Sequence, residues 1–281
     1  MVQLPLKVIL TLIFHLTNRR HFLRECNMNS NIQQIIGLAV TIIFVQAMYS
    51  LWILPEVNIL EMVALEDGTI LPRNFFVIVK DLEQQICFIL FIWGTFLCIE
   101  KLIHTSSQAY LFDVDLLGDI EDSSSDISMT LDHIDQLPSE IRSSPLVQII
   151  SSSLRRYVIT GSIQNASEAI TPALDSMAIK NEAELSIIKY ITWAIPSIGF
   201  LGTVRGIGQA MAQAEFAVAG DIGPMTSSLG VAFNSTFVSL LISVILMLLV
   251  SYLQREHDNQ LVKVQEYCEK YLIRRISIAR S

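Results

Sequence analysis

The sequence predicts an all-α integral membrane protein: four transmembrane helices, with a helical cytoplasmic domain between the second and third. Three observations carry that prediction. Of 281 residues 52% are hydrophobic and only 16% charged, and the mean hydropathy is +0.49, whereas soluble domains are closer to a quarter charged. Four stretches are long and apolar enough to approach or exceed the ~20 helical residues that cross a bilayer core. Lysine and arginine collect at both chain ends and are sparse in two of the connecting loops, which orients an even number of spans with both termini in the cytoplasm.

Taken in order, residues 1–30 hold an apolar stretch followed by the basic cluster RRHFLR, with Lys7, Arg19, Arg20 and Arg24. A signal peptide has the opposite order, so this segment reads as an interfacial helix on the cytoplasmic leaflet, anchored to anionic lipid. Residues 31–104 hold spans one and two. The first is centred on IIGLAVTIIFVQAMYSLWIL (Ile35 to Leu54), inside 30 uncharged residues, with Tyr49 and Trp52 expected at interface depth. The second has only 16 uncharged residues between Glu83 and Glu100. That is about 24 Å of helix, so its flanking charges must snorkel or the helix must start a turn early. The outer loop between them, 56–83, carries Arg73 and Lys80 against six acids.

Residues 105–185 form the cytoplasmic helical domain. Nine acids and no lysine or arginine lie between Asp113 and Glu140, around EDSSSD (Glu121 to Asp126); the pattern fits a solvated face, with a docking surface for a basic partner as the alternative. Ile179, Ala183, Ile187 and Ile191 recur every four residues, as a continuous helix entering the third span requires. Residues 186–253 hold spans three and four, the fourth being the clearest, with 33 uncharged residues from Ile222 to Gln254. Residues 254–281 read as a cytoplasmic C-terminal helix.

Several chemistries are excluded. The net charge of −8 and the lack of a concentrated basic surface argue against nucleic acid. Cys26, Cys87, Cys98 and Cys268 show no paired spacing and read as apolar filling. His15, His21, His104, His133 and His257 are scattered, and no nucleotide loop, serine elbow or zinc-binding helix appears. No catalytic residue, metal site or cofactor is therefore expected.

The informative stretch is PSIGFLGTVRGIGQAM, from Pro196 to Met211. Gly199, Gly202 and Gly206 provide a smooth face, since small residues allow close helix approach in lipid. Ala232, Ser235 or Thr236, Ser239 and Ser243 repeat at matching intervals in the next span. Because the two spans run antiparallel, Thr203 and Thr236 fall at similar depth, with Asn234 and Ser235 beside them; together they suggest a polar lining. Pro196 reads as a hinge. Arg205 reads as an interface charge that snorkels or pairs with Glu215 or Asp221. Neither helix carries a carboxylate between Glu184 and Glu215 or between Asp221 and Glu256. An ion path usually needs an ionisable group within the bilayer, so the titrating group is expected on another chain.

These residues, with SLGVAFNSTFVSLLISVILMLLVSYLQREHDNQL in the fourth span, resemble the paired core helices of the MotA/TolQ/ExbB proton-channel family over roughly Ile187 to Lys270. The resemblance implies an ion-conducting ring subunit, a homopentamer around a dimeric single-span partner of the MotB/TolR/ExbD type whose aspartate takes the ion. It implies a bacterial inner-membrane location, H⁺ as the ion with Na⁺ as the alternative, and pore-facing roles for Thr203 and Thr236. Two spans ahead of the cytoplasmic segment are more like the MotA layout, or that of ZorA-like defence motors, than the three-span ExbB layout. The tail after Leu253 is shorter than a ZorA tail. The branch and the load it drives stay open, as does a structural scaffold with no ion conduction.

Overall fold

A computed structural model of the chain describes residues 30–66, 74–112, 117 and 124–274. Among these there are helices and turns and no strands. The interfacial segment expected over residues 1–30 and part of the acidic run, including Glu121 to Ser123, lie outside the described residues. Four helical stretches are long and apolar enough to cross a membrane: Ile32–Ala64, Leu82–Phe112, Ile163–Ala212 and Gly223–Ile273. The chain is a multi-pass membrane protein. Its residues fall into two compact units, one built around Met28–Glu100 and Ser186–Tyr252, the other around Lys101–Leu185 and Leu253–Ser281.

In the first unit, helix α1 (Ser30–Met48) runs into a π-helical turn at Tyr49–Ile53 and continues as α2 (Leu54–Glu66). The helix thus passes well beyond the expected limit of the first span. Pro55 explains the irregular turn. Proline has no N–H for the carbonyl four residues back, and just ahead of it the Leu54 N–H reaches instead to the Tyr49 carbonyl, five back. Tyr49 packs inside the protein. It is 1% exposed, its hydroxyl donates to the Val79 carbonyl at 2.8 Å, and it packs with Val45, Ile53, Val57, Val79 and Val238. Trp52 is exposed.

After the short helix α3 (Phe75–Ile78), α4 runs from Leu82 to Ser107, 26 residues. The span is therefore longer than its uncharged stretch, and its first-turn charge is accommodated inside the helix. The start is fixed by Gln84, whose side-chain carbonyl accepts the Asp81 N–H at 2.8 Å, the returning half of a capping box. Along α4, Trp93 Nε1 donates to the Gln34 carbonyl at 3.3 Å and Gly94 lies beneath Leu246 and Ile191.

The two longest helices are α9 (Ile170–Ala212, 43 residues) and α11 (Gly223–Tyr267, 45 residues), separated by the short α10 (Ala214–Val218). The continuous helix leading into the third span is present. Its packed positions are Met177, Leu185, Ile188, Ile191 and Ile195, while Ile179, Ala183 and Ile187 are exposed, so the four-residue repeat marked the helix but, Ile191 apart, not its buried face.

The second unit packs α5 (Ser124–Asp135), α6 (Ser139–Arg142), α7 (Pro145–Thr160) and α8 (Ile163–Glu168) over a core that includes Ile127, Ile150, Leu154, Ala166, Val264 and Leu272. Helix α7 begins on Pro145 and ends at Gly161, whose φ of 61° is the left-handed cap conformation that glycine adopts without strain. Ser153 ties α7 to α8 by donating to the Ala166 carbonyl at 2.8 Å. Within the acidic run, Asp135 receives both 2.8 Å bonds from Arg155 Nη2. Elsewhere in this unit, Lys101 pairs with Glu184 at 2.5 Å, and His257 is 5% exposed with Nδ1 lacking a partner. Burial pushes His257 below the ordinary imidazole range; Glu184 and Asp258 oppose the shift, whereas Lys101 and His104 add to it.

Candidate functional site

The site forms where α9 and α11 approach most closely. The small residues read from the sequence meet one another in antiparallel register. A β-carbon at Gly206 would stand 2.8 Å from the backbone nitrogen and the β-carbon of Ala232, one at Gly202 would stand 2.6 Å from the Ser235 β-carbon, and one at Gly199 would fall on the Ser239 hydroxyl. No real side chain fits at those separations, so the glycines are required by the approach. Ala232, Ser235, Ser239 and Ser243 are all nearly completely buried against that face.

This proximity brings the two threonines together. The Thr203 hydroxyl contacts the Thr236 hydroxyl, and it also donates to the Ala232 carbonyl at 3.1 Å. Both hydroxyls lie near the Gly199 carbonyl, Thr203 at 3.3 Å and Thr236 at 3.4 Å. The pair thus bridges the helices, and each residue is half-buried. Ser235 lies inside the helix contact, 1% exposed, its hydroxyl without a hydrogen-bond partner. Asn234 is half-buried beside them.

Pro196 leaves the Thr192 carbonyl without its intrahelical donor. The hydroxyl of Ser243 on α11 donates to that carbonyl at 3.3 Å. The proline and the last serine of the small-residue stripe are therefore one arrangement, which the sequence presented as two separate features.

Arg205 requires a correction. Its partners are neither Glu215 nor Asp221. Its Nη2 lies 2.8 Å from Glu83 Oε2 and 3.7 Å from Asp81 Oδ1, at the start of α4. Sequence reasoning placed Asp81 and Glu83 in an outer loop and missed their role. The missing signal was the short uncharged stretch of the second span, which required one flanking charge to be met inside the helix. Both acids are largely buried, with side chains 14% and 13% exposed, and the Glu83 Cγ lies 3.3 Å from where a Gly202 β-carbon would be. A carboxylate-bearing side chain of this chain thus lies against Gly202, next to Thr203 in sequence, although neither core helix supplies it. Burial pushes the Asp81 carboxyl above its usual range, with Lys80 and Arg205 opposing and Glu83 reinforcing the shift. Lys80 is itself engaged by Glu61 at 2.7 Å.

Among the described residues no group of histidine, cysteine and carboxylate side chains is arranged to hold a metal ion. The chemistry available is that of hydroxyls, one guanidinium and two carboxyls placed beside a close helix contact. Residues 142–266, which contain both core helices, the threonine pair and Arg205, match the MotA/TolQ/ExbB proton channel family. The match is to the family whose core helices the sequence resembles. No curated protein and no solved structure matches the chain.

Proposed function

From the family match over residues 142–266 we infer that the chain is the ion-conducting ring subunit of a membrane motor. It couples the proton motive force to mechanical work through a partner. The ring is a homopentamer in the bacterial inner membrane, with both termini of each subunit cytoplasmic. It surrounds a dimeric single-span partner whose transmembrane aspartate carries the ion, H⁺ in preference to Na⁺. The observation that carries this reading is the Thr203–Thr236 pair. Two hydroxyls meet at the closest approach of the core helices, half-open to their surroundings, within the matched region. A lone membrane hydroxyl can satisfy itself on its own helix. Here the Thr203 hydroxyl, besides lying near its own helix's Gly199 carbonyl, reaches across to the Ala232 carbonyl and the Thr236 hydroxyl of the other helix, where rotation of either side chain offers it to a passing ion or a partner's carboxyl.

The test is proton flux and motor output in Thr203→Val and Thr236→Val variants, with ring assembly followed by native mass measurement. Both variants are expected to assemble while flux falls at least tenfold; wild-type flux in both sinks the role of the pair. Co-purification with a single-span partner, and subunit counting, test the assembly. A scaffold without conduction would keep the glycine contact and lose nothing on the threonine substitutions.

A further inference from the structure

The group formed by Asp81, Glu83 and Arg205 is absorbed by neither helix packing nor the threonine pair. One guanidinium faces two largely buried carboxyls. Its ion pair with Glu83 is close, 2.8 Å, while the contact to Asp81 is 3.7 Å; neither Asp81 Oδ2 nor Glu83 Oε2 has a hydrogen-bond partner. Among the described residues the other charged or titratable groups facing Asp81 are accounted for: Lys80 is paired with Glu61, the Tyr49 hydroxyl is bonded to the Val79 carbonyl, and the Cys87 thiol lies against the Ile195 carbonyl at 3.5 Å. The helix terminus at Leu82 favours negative charge, but it acts on both acids together. With both ionised, two largely buried negative charges share one guanidinium whose side chain is 40% exposed. A charge left in that state is neutralised by taking up a proton.

Two further polar groups around these acids are buried and unpartnered: the Ser235 hydroxyl, 1% exposed and against the same point of Gly202 that Glu83 touches, and Gln84 Nε2, in a side chain 1% exposed. Arg205 lies two residues beyond Thr203 along α9, towards the loop between the core helices.

We propose that Asp81 is a proton-exchange site of this chain on the outer side of the Thr203–Thr236 pair, with Glu83 and Arg205 as positioning residues that hold it there. A proton from the outer face binds Asp81 Oδ2 and passes towards the threonines, and Asp81 returns to the carboxylate. The path then includes a carboxyl on the ring subunit ahead of the one on the partner. This rests on the ring reading for its direction, and its test does not.

The experiment uses membranes containing the full chain, with dicyclohexylcarbodiimide as the probe, since that reagent modifies protonated carboxyls in water-poor surroundings. Peptide mass measurement then locates the modification between about pH 5 and about pH 9, spanning the ordinary carboxyl value and well above it. Modification of Asp81 is expected to rise as pH falls. In Arg205→Gln the midpoint is expected to move up by roughly one pH unit or more, because a nearby cation favours the carboxylate. A purely structural ion pair predicts no modification of Asp81 at any of these pH values, and that result overturns the proposal. So does a midpoint that Arg205→Gln leaves in place. Where wild-type rings conduct, Asp81→Asn is expected to lower flux at least tenfold with assembly intact; wild-type flux in that variant overturns the transfer role. A wild-type ring that conducts nothing refutes the ring reading, and the labelling still decides whether Asp81 exchanges a proton.

Discussion

Replacing Gly206 by alanine tests whether the approach of α9 to α11 is as close as the structure has it. The new β-carbon would lie 2.8 Å from the Ala232 backbone nitrogen and 2.9 Å from its α-carbon. Ordinary contacts lie at about 3.5–4.0 Å, so the helices must part by about 1 Å at that level, because backbone atoms cannot rotate away. Overpacking of this kind costs about 2 kcal/mol, the middle of the ~1–3 kcal/mol range. Against it stands a gain of up to about 1 kcal/mol from exchanging glycine for alanine within a helix. Gly208 provides the control, since a β-carbon there meets nothing within 4 Å. The helix-propensity gain is common to both variants, so they should differ by about 2 kcal/mol, roughly a thirtyfold difference in the unfolding equilibrium. The assay is unfolding in mixed micelles with increasing sodium dodecyl sulfate, followed by tryptophan fluorescence from Trp52, Trp93 and Trp193. Gly206→Ala should unfold earlier than wild type and Gly208→Ala at or beyond it. Equal midpoints for the two variants would refute the close register.

Ser243→Ala should cost about 1 kcal/mol, the lower end for a carbonyl left unsatisfied, because the bond it removes is long. The cost should largely vanish in a Pro196→Ala background, where the restored N–H can serve the Thr192 carbonyl; a double-mutant cycle in the same micelles measures that coupling, and additivity would contradict it. For His257, the folded imidazole titrates below its ordinary value, so below about pH 6.5 the unfolded state binds the extra proton and stability falls as pH drops, levelling off once the folded value is passed. His257→Gln should flatten that decline in melting temperature, and an unchanged pH profile would show that another group causes it. Arg155→Ala breaks an ion pair whose side chains are 57% and 39% exposed, so the second unit should lose less than about 1 kcal/mol, as read by its thermal midpoint.

Much of this architecture was legible because bilayers impose a length and an apolar run that few sequences meet by chance. The four spans, the glycine face and its small-residue counterpart all follow from composition and spacing. What spacing could not supply was the identity of partners distant in sequence. Arg205 and Glu83 are 122 residues apart, so the guanidinium was assigned to the nearest acids along the chain, Glu215 and Asp221. The acceptor of the Tyr49 hydroxyl, the Val79 carbonyl 30 residues on, was equally out of reach of spacing. The extension of the first helix past Pro55 was hidden as well, since proline more often ends or kinks a helix, and here a π turn just ahead of it lets the helix continue.

The glycines and the threonines are usually given separate roles, one in packing and the other in lining a path. The geometry joins them. Thr203 reaches the Ala232 carbonyl at 3.1 Å only because Gly206 and Gly202 let α11 approach without an intervening side chain. A shift of about 1 Å would carry that contact outside hydrogen-bond range. It would also separate the two hydroxyls. A substitution that leaves every polar residue in place can therefore remove the polar site. Gly206→Ala should impair flux even though position 206 carries no functional group, and flux should fall with the loss of the helix contact and not with any change in charge. If Gly206→Ala weakened the contact while flux stayed at the wild-type rate, the threonine pair could not be the element through which the ion is exchanged.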